Sequence, residues 1–234
     1  KALFTSIKES TEIWAPLDLY NLFGFLFNQF HYLLSRQDAE SYFTQIRDLL
    51  IWGVETNVLH LDGVLPPASY RNLIIFCIRT QAFDLAERYL KQLKSQLPLG
   101  LRNETFTICK AMILIEQQAY PKVLKLLGVA RFRAESFEVS GRWLSLQAHH
   151  ERYPEDAEWR LRQAERHLRY VKSRSTLNPT FRMAYQNQFR LYKRILTSHH
   201  PSQKERVLAE IKQTHPLHNK RWLLKLAAPM TESQ

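Results

Sequence analysis

The residues with the most evident chemistry are arginines spaced three or four positions apart towards the C-terminal end of the chain. Arg162, Arg166 and Arg169 recur at the period of an α-helix, so we expect them along one helical face. The basic series continues with Arg174, Arg182, Arg190, Lys193 and Arg194. The aromatic residues among them are Tyr170, Tyr185, Phe189 and Tyr192. This mixture is typical of a surface that binds phosphates or stacks on bases.

The distribution of charge also points to an anionic partner. The net charge is +11; residues 151–234 hold 17 Lys and Arg against 8 Asp and Glu, whereas residues 1–150 hold 16 against 14. The alternative is an ordinary solvated helix face, in which Glu158 and Glu165 pair with Arg162 and Arg169 at a spacing of four residues. The pattern favours an acidic protein or peptide as partner, with nucleic acid as the alternative.

Histidines are the candidate metal ligands. They occur as His149-His150, as His199-His200, and as His215 and His218 on either side of Pro216. Adjacent helical side chains point about 100° apart, and Pro216 suggests a helix start between the last two. The chain has neither HExxH nor a zinc-type spacing of Cys and His, so we predict turn and surface histidines and no metal site.

Sequence motifs of common enzymes are also missing. The chain contains no GxxxxGK[ST], GxGxxG or GxSxG motif, so the usual phosphate-binding loops and the hydrolase nucleophile turn have no counterpart. Glu151, Glu155 and Asp156 form an acidic group beside His150, but such residues are favoured as helix caps. We therefore expect a non-enzymatic protein without a cofactor.

Composition indicates a folded, helix-rich chain. Of its 234 residues, 45% are hydrophobic and 12% aromatic, with only 6 glycines and 10 prolines. Cys77 and Cys109 lack a CxxC spacing, which favours buried thiols and a cytoplasmic location. No stretch has the length and hydrophobicity of a membrane span. The chain begins with Lys1 rather than Met, so we expect it to be a fragment of a longer polypeptide.

Apolar residues recur at helical spacing along the chain and define the elements that position these side chains. The predicted helices cover residues 17–34, 38–52, 70–80, 83–97, 105–117, 120–127, 140–150, 154–171, 179–198, 201–213 and 217–226. Gly63, Pro66 and Pro67 mark residues 57–67 as a loop. No segment has the pattern of a β-hairpin.

The helices pair as hairpins that recur at nearly regular intervals. The small residues that open the second helices are Ala39, Ala86, Val123 and Ala157, with separations of 47, 37 and 34 residues. The clearest unit contains Tyr70, Leu73, Cys77, Phe83, Ala86, Leu90, Leu93 and Pro98. This unit resembles a tetratricopeptide repeat, whose length is about 34 residues, although Ile74 stands where that family has a small residue. The resemblance covers residues 17–171.

The resemblance implies an all-α fold in which antiparallel hairpins stack into a right-handed superhelix, and a compact multi-helix bundle is the alternative. It also implies a scaffold whose concave surface, formed by the first helix of each hairpin, binds a peptide; the polar candidates there are Asn72, Lys110 and Arg142. The other functions kept open are a nucleic-acid-associated repeat protein and the regulatory or sensor arm of a larger enzyme or transcription regulator. We predict one domain over residues 1–234, with repeats in 17–171, basic helices in 172–227 and a tail in 228–234.

Overall fold

The computed structural model describes residues 5, 13–37 and 41–228. Within that part the chain forms eleven α-helices and no β-strand, so the predicted all-α class is confirmed. The helices are α1 (Pro16–Gln37), α2 (Ser41–Glu55), α3 (Pro67–Arg79), α4 (Phe83–Gln92), α5 (Arg102–Glu116), α6 (Tyr120–Val129), α7 (Glu135–Arg152), α8 (Ala157–Lys172), α9 (Pro179–Thr197), α10 (Pro201–Gln213) and α11 (Lys220–Ala227). No helix among these residues is both long and apolar enough to cross a bilayer.

The chain divides into two compact units. Unit 1 extends to Gln118 and contains α1 to α5, and unit 2 begins at Ala119 and contains α6 to α11. Each unit has its own hydrophobic core. The division falls between α5 and α6, which the sequence predicts to be one hairpin.

In unit 1, helices that are adjacent or next but one in the chain pack on each other. Helix α2 packs on α1 and α3, and α3 also packs on α4 and α5. The fully buried Tyr70 donates a hydrogen bond from its hydroxyl to the carbonyl oxygen of Leu90 at 2.6 Å, which ties α3 to α4. Both cysteines are free and buried, as expected, and burial raises the pKa of Cys77 to about 11 and that of Cys109 to about 12. These thiols are therefore protonated and inert at neutral pH.

Gly53 is required where α2 approaches α1. A Cβ atom at this position would lie 2.8 Å from Cε2 of Phe23 and 3.0 Å from Cγ of Leu59, and both of those side chains are buried. We expect Gly53→Ala to lower the free energy of unfolding by about 1 kcal/mol, because the clash outweighs the gain in helix propensity. Urea denaturation measures this; Gly128→Ala in α6, where a Cβ meets nothing within 4 Å, should instead raise stability. Equal stabilisation by both changes would contradict the prediction.

Unit 2 is a run of six helices in which successive helices pack on each other, and α9 contacts α8, α10 and α11. Its core is rich in aromatic residues. The ring of Trp143 lies edge-on against three others, with centroid distances of 5.3 Å to Phe189, 5.8 Å to Tyr192 and 5.4 Å to Trp222. These contacts join α7, α9 and α11, and edge-on aromatic pairs add to the stability that burial provides.

The second helices of successive hairpins recur at a strict interval. Helices α4, α6 and α8 begin at Phe83, Tyr120 and Ala157, which are 37 residues apart each time. The turns before α4 and α6 are also alike, because Gln81 and Gln118 have left-handed backbones with φ of 55° and 57°. These features are compatible with a helical repeat.

Two details of the predicted repeat need correction. Ala157 is exposed, and the residue of α8 that corresponds to Ala86 and Val123 is the buried Arg160. Pro154 does not open α8 but lies in the turn before it. The small residue predicted at Ala39 lies outside the described residues.

Candidate binding surfaces

A groove on unit 1 contains one of the predicted binding residues, Asn72. The groove has a volume of about 220 Å³. Helix α1 contributes one face at helical spacing, namely Tyr20, Phe23, Gly24, Phe27 and Asn28. The other walls come from Leu50 of α2, Leu59 and Pro66 of the following loop, and Ser69 and Asn72 of α3. The groove therefore lies along the first helices of two successive hairpins.

The lining of this groove combines apolar surface with amide groups. The rings of Phe23 and Phe27 stack with their centroids 5.9 Å apart, and Tyr20 is 41% exposed. The carboxamides of Asn28 and Asn72 form no hydrogen bond with another described residue. Each can therefore donate to and accept from a ligand, which is the capacity that recognition of a peptide main chain requires.

The other two residues predicted for a concave surface have different surroundings. Lys110 lies half-buried on α5 of unit 1, next to the fully buried Cys109. Arg142 lies on α7 of unit 2 and binds Glu138 one turn earlier, with a distance of 2.6 Å between Nη2 and Oε1. Its guanidinium also lies 4.1 Å from the ring centre of Tyr170, so Arg142 is held within the protein.

Arg174 also lies against the ring of Tyr170. Its guanidinium carbon is 4.3 Å from the ring centre of Tyr170, and it binds Glu135 at 3.2 Å. The hydroxyl of Tyr170 donates to Glu138 at 2.5 Å. Burial opposes ionisation of Glu138, but the hydrogen bonds from Tyr170 and Arg142 outweigh it and lower the pKa of this carboxyl. Tyr170 and Arg174 thus form a structural cluster between α7 and α8.

The remaining members of the basic series lie on α8 and α9. Arg162, Arg166 and Arg169 are exposed along one side of α8, as their spacing predicts. Arg182 donates to the main-chain oxygen of Arg174 at 3.3 Å. Arg190, Lys193 and Arg194 occupy the fourth and fifth turns of α9.

Carboxylates neutralise part of this surface. Arg162 binds Glu158 as predicted, but Glu165 binds Lys193 of α9 at 2.5 Å rather than Arg169. Because Lys193 donates a hydrogen bond to it, the pKa of Glu165 is lowered. On α10, Glu210 binds both Arg190 and Arg194. Among the described residues, Arg166 and Arg169 are exposed and have no carboxylate within ion-pair distance, so they remain available to an acidic partner.

Two histidines of unit 2, the half-buried His150 and the buried His167, are kept neutral by burial and by neighbouring arginines. Nδ1 of His150 accepts a hydrogen bond from Arg160 at 2.8 Å, and Nδ1 of His167 accepts from Arg142 at 3.4 Å. A guanidinium can only donate, so each of these nitrogens must be unprotonated. Burial, followed by the adjacent guanidinium, lowers the pKa of His150 to about 4 and that of His167 to about 3.

These positions correct the expectation of surface histidines. His150 packs between Tyr192 and Trp222, while the neighbouring His149 points elsewhere and stacks on Trp159 at 3.7 Å. His199, His200, His215 and His218 are exposed, as predicted. Within the described residues, no group of three or more His, Cys, Asp or Glu side chains could hold a metal ion.

The acidic group beside His150 also differs from its predicted capping role. Asp156 occupies the cap position of α8 without a side-chain capping bond, and its carboxylate lies 3.6 Å from Nε2 of His149. Glu151 accepts a hydrogen bond from Nε1 of Trp222 at 2.7 Å and so joins α7 to α11.

Asn28, in the groove of unit 1, and Arg206, in a cleft at the turn before α10, were not predicted from the sequence. Asn28 interrupts the apolar face of α1, and that interruption is the signal that could have identified it. Arg206 lies on α10, beyond the predicted basic series, and it gives no periodic signal because no Lys or Arg lies three or four residues from it. Comparisons of the chain with protein-family models, with curated proteins and with solved structures gave no match.

Proposed function

We propose that this protein is a non-enzymatic scaffold of tetratricopeptide-like hairpins that binds a peptide segment of another protein. The groove beside Asn72 is the observation that carries this proposal. It offers aromatic surface for apolar side chains and carboxamides that have no partner among the described residues for the main chain, and an extended peptide needs both.

The packing within each unit supports stacked hairpins over a compact bundle. The helices that make extensive contacts with each other are adjacent or next but one in the chain. Such contacts between near neighbours are a property of repeat arrays. The 37-residue interval and the matching turns at Gln81 and Gln118 support the same interpretation. The free thiols of Cys77 and Cys109 are consistent with the cytoplasmic location that we propose.

The basic surface of unit 2 provides a second contact for an acidic partner. Arg166 and Arg169 project from α8 without a carboxylate partner among the described residues, so a partner carboxylate does not have to displace one. Exposed charges of this kind accelerate association and select partners more than they add affinity. We therefore propose that the groove provides most of the affinity for the partner and that the arginines accelerate its association.

Gly24 allows the groove to be blocked without disturbing the fold. A Cβ atom there meets nothing within 4 Å, and the residue lines the groove. Peptides selected from a random displayed library on the wild-type protein should lose at least tenfold in affinity for Gly24→Met, because the added side chain occupies their site. Fluorescence polarisation with labelled peptides measures the loss.

Gly128→Met is the matched control, since Gly128 is also helical and also faces open space. It lies in unit 2, so peptide affinity should be unchanged while helix propensity improves equally in both variants. A second variant, Asn72→Ala, should weaken the same peptides. The proposal fails if no peptide is enriched, or if Gly24→Met and Gly128→Met bind the selected peptides equally well.

A further inference from the structure

A cleft at the turn between α9 and α10 carries two arginines. Its volume is about 260 Å³. The lining residues are Arg194, Thr197 and Ser198 at the end of α9 and its turn, and Gln203 and Arg206 on α10. Every lining residue is polar, and neither of the proposed contact regions, the groove of unit 1 and the face of α8, includes them.

The hydrogen bonds around the cleft determine which donors remain for a ligand. The hydroxyl of Ser198 donates to the carbonyl oxygen of Arg194 at 2.7 Å, and that of Thr197 donates to carbonyl oxygens of the same turn. Oε1 of Gln203 accepts from the main-chain N–H of His199 at 3.2 Å, which leaves its Nε2 to donate. Among the described residues, the donors left for a ligand are therefore the Gln203 amide, the guanidinium of Arg206 and the remaining N–H groups of Arg194.

The two arginines differ in the ion pairs that they already form. Arg194 uses Nη1 to bind Glu210, whereas no carboxylate among the described residues lies within ion-pair distance of Arg206. Glu210 thus fixes Arg194 in place, and Arg206 keeps an uncompensated charge. A pair of guanidinium groups with an added amide donor is a good match for a compact oxyanion with several acceptor oxygens.

The surroundings favour a single phosphoryl group over a nucleic-acid backbone. Glu210 lies between Arg190 and Arg194, and the exposed Glu205 precedes Arg206 on α10. A polyanion that follows the protein surface would meet these carboxylates, whereas an isolated phosphate on a less charged chain would not.

We propose that this cleft binds the phosphoryl group of a phosphorylated serine or threonine in a partner protein. The inference rests on the proposed binding of an anionic partner by unit 2, and it specifies that the anion is a phosphoryl group. The phosphate would accept hydrogen bonds from Arg206, Arg194 and the Gln203 amide, as phosphate sites on proteins commonly do.

The test follows arginine Nε–H and glutamine NH₂ signals by NMR in the whole chain at constant ionic strength. The probes are inorganic phosphate, a blocked Ala-phosphoserine-Ala peptide, and the unphosphorylated peptide. We expect saturable shifts at Arg194, Arg206 and Gln203 with both phosphate probes, and at least tenfold weaker binding to Arg206→Gln, the loss equivalent to one charge-assisted hydrogen bond. The unphosphorylated peptide should cause none of these shifts.

Arg221→Gln is the matched control, because it removes the same charge from an exposed position of α11 in unit 2 that belongs to none of the proposed contact regions. It should leave phosphate binding unchanged. Small, unsaturable shifts at all exposed arginines would overturn the inference, as would an oligothymidine that binds through Arg206 more tightly than the phosphopeptide. An acidic peptide that binds through Arg166 and Arg169, together with no phosphate effect at Arg206, would refute the phosphate site and leave the proposed scaffold function intact.

Discussion

Arg160→Met is expected to lower the free energy of unfolding by about 3 kcal/mol, the loss typical of removing one partner from a buried charged network. Arg160 is only 5% exposed. Besides His150, its guanidinium donates to the carbonyl oxygens of Pro154, at 2.5 Å, and Asp156, at 3.3 Å. Methionine keeps the apolar stem but leaves these acceptors without their donor.

Arg162→Met is the matched control for this change. Arg162 lies on the same helix, but its side chain is 60% exposed and its ion pair is with Glu158 one turn earlier. Exposed pairs of this geometry contribute about 0.5 kcal/mol or less. Urea denaturation at pH 7.5 of both variants gives the comparison, and a loss for Arg160→Met no larger than that for Arg162→Met would show that the buried network does not stabilise unit 2.

The regular features of the fold were predictable because they depend on neighbouring residues. The apolar stripe of α1, the proline-containing loop before α3, and the turn at Gln81 and Gln118 are all local signals. The all-α class followed from them. The division of the chain after Gln118 was not predictable, because it depends on which helices pack together.

Arg160 shows why part of the interior could not be predicted. Its position in the repeat matches Ala86 and Val123, so pattern alone predicts a small residue. The side chain is buried because His150 and the turn of Pro154 supply acceptors for it. That arrangement depends on several elements at once, and helical periodicity carries no information about it.

The binding surfaces were only partly predictable for a similar reason. The spacing of Arg162, Arg166 and Arg169 correctly placed them along one exposed face of α8. Which of them remain free of carboxylates depends on α9, because Lys193 binds Glu165 in place of Arg169. In unit 1, the apolar residues of α1 recur at helical spacing, which predicts that they pack in the core. Some of them instead line the groove, because the space beside Gly24 is open.

Acidification is expected to destabilise the protein between about pH 6.5 and pH 4 through His150. The unfolded chain protonates this histidine near its ordinary pKa of 6.5, whereas the folded chain does so only near 4. As the pH falls through this window the unfolded state binds a proton that the folded state lacks, so the free energy of unfolding decreases. A shift of this size corresponds to about 3 kcal/mol, with no contribution above pH 7.5.

The physical cause lies in the charges around His150. Burial is the largest contribution, and Arg160, Lys225 and His149 add to it because a proton on the ring would face these cationic or titratable groups. Protonation of His167 extends this loss of stability to lower pH, because burial and then Arg142, which donates to its Nδ1, lower its pKa to about 3. The hydrogen-bonded carboxyl of Glu138 acts in the same direction once the solution is acidic enough to protonate it.

Urea denaturation of the wild type, His150→Gln and His199→Gln at pH 7.5, 6.0 and 5.0 tests this expectation. Glutamine can still accept from Arg160 but does not titrate in this range, so the stability of His150→Gln should fall less steeply with pH than that of the wild type. His199 is exposed in the turn before α10, so His199→Gln should follow the wild type. Identical pH dependence in all three proteins would mean that His150 is already solvated in the folded state, and the guanidinium of Arg160 would then have to be satisfied by other acceptors.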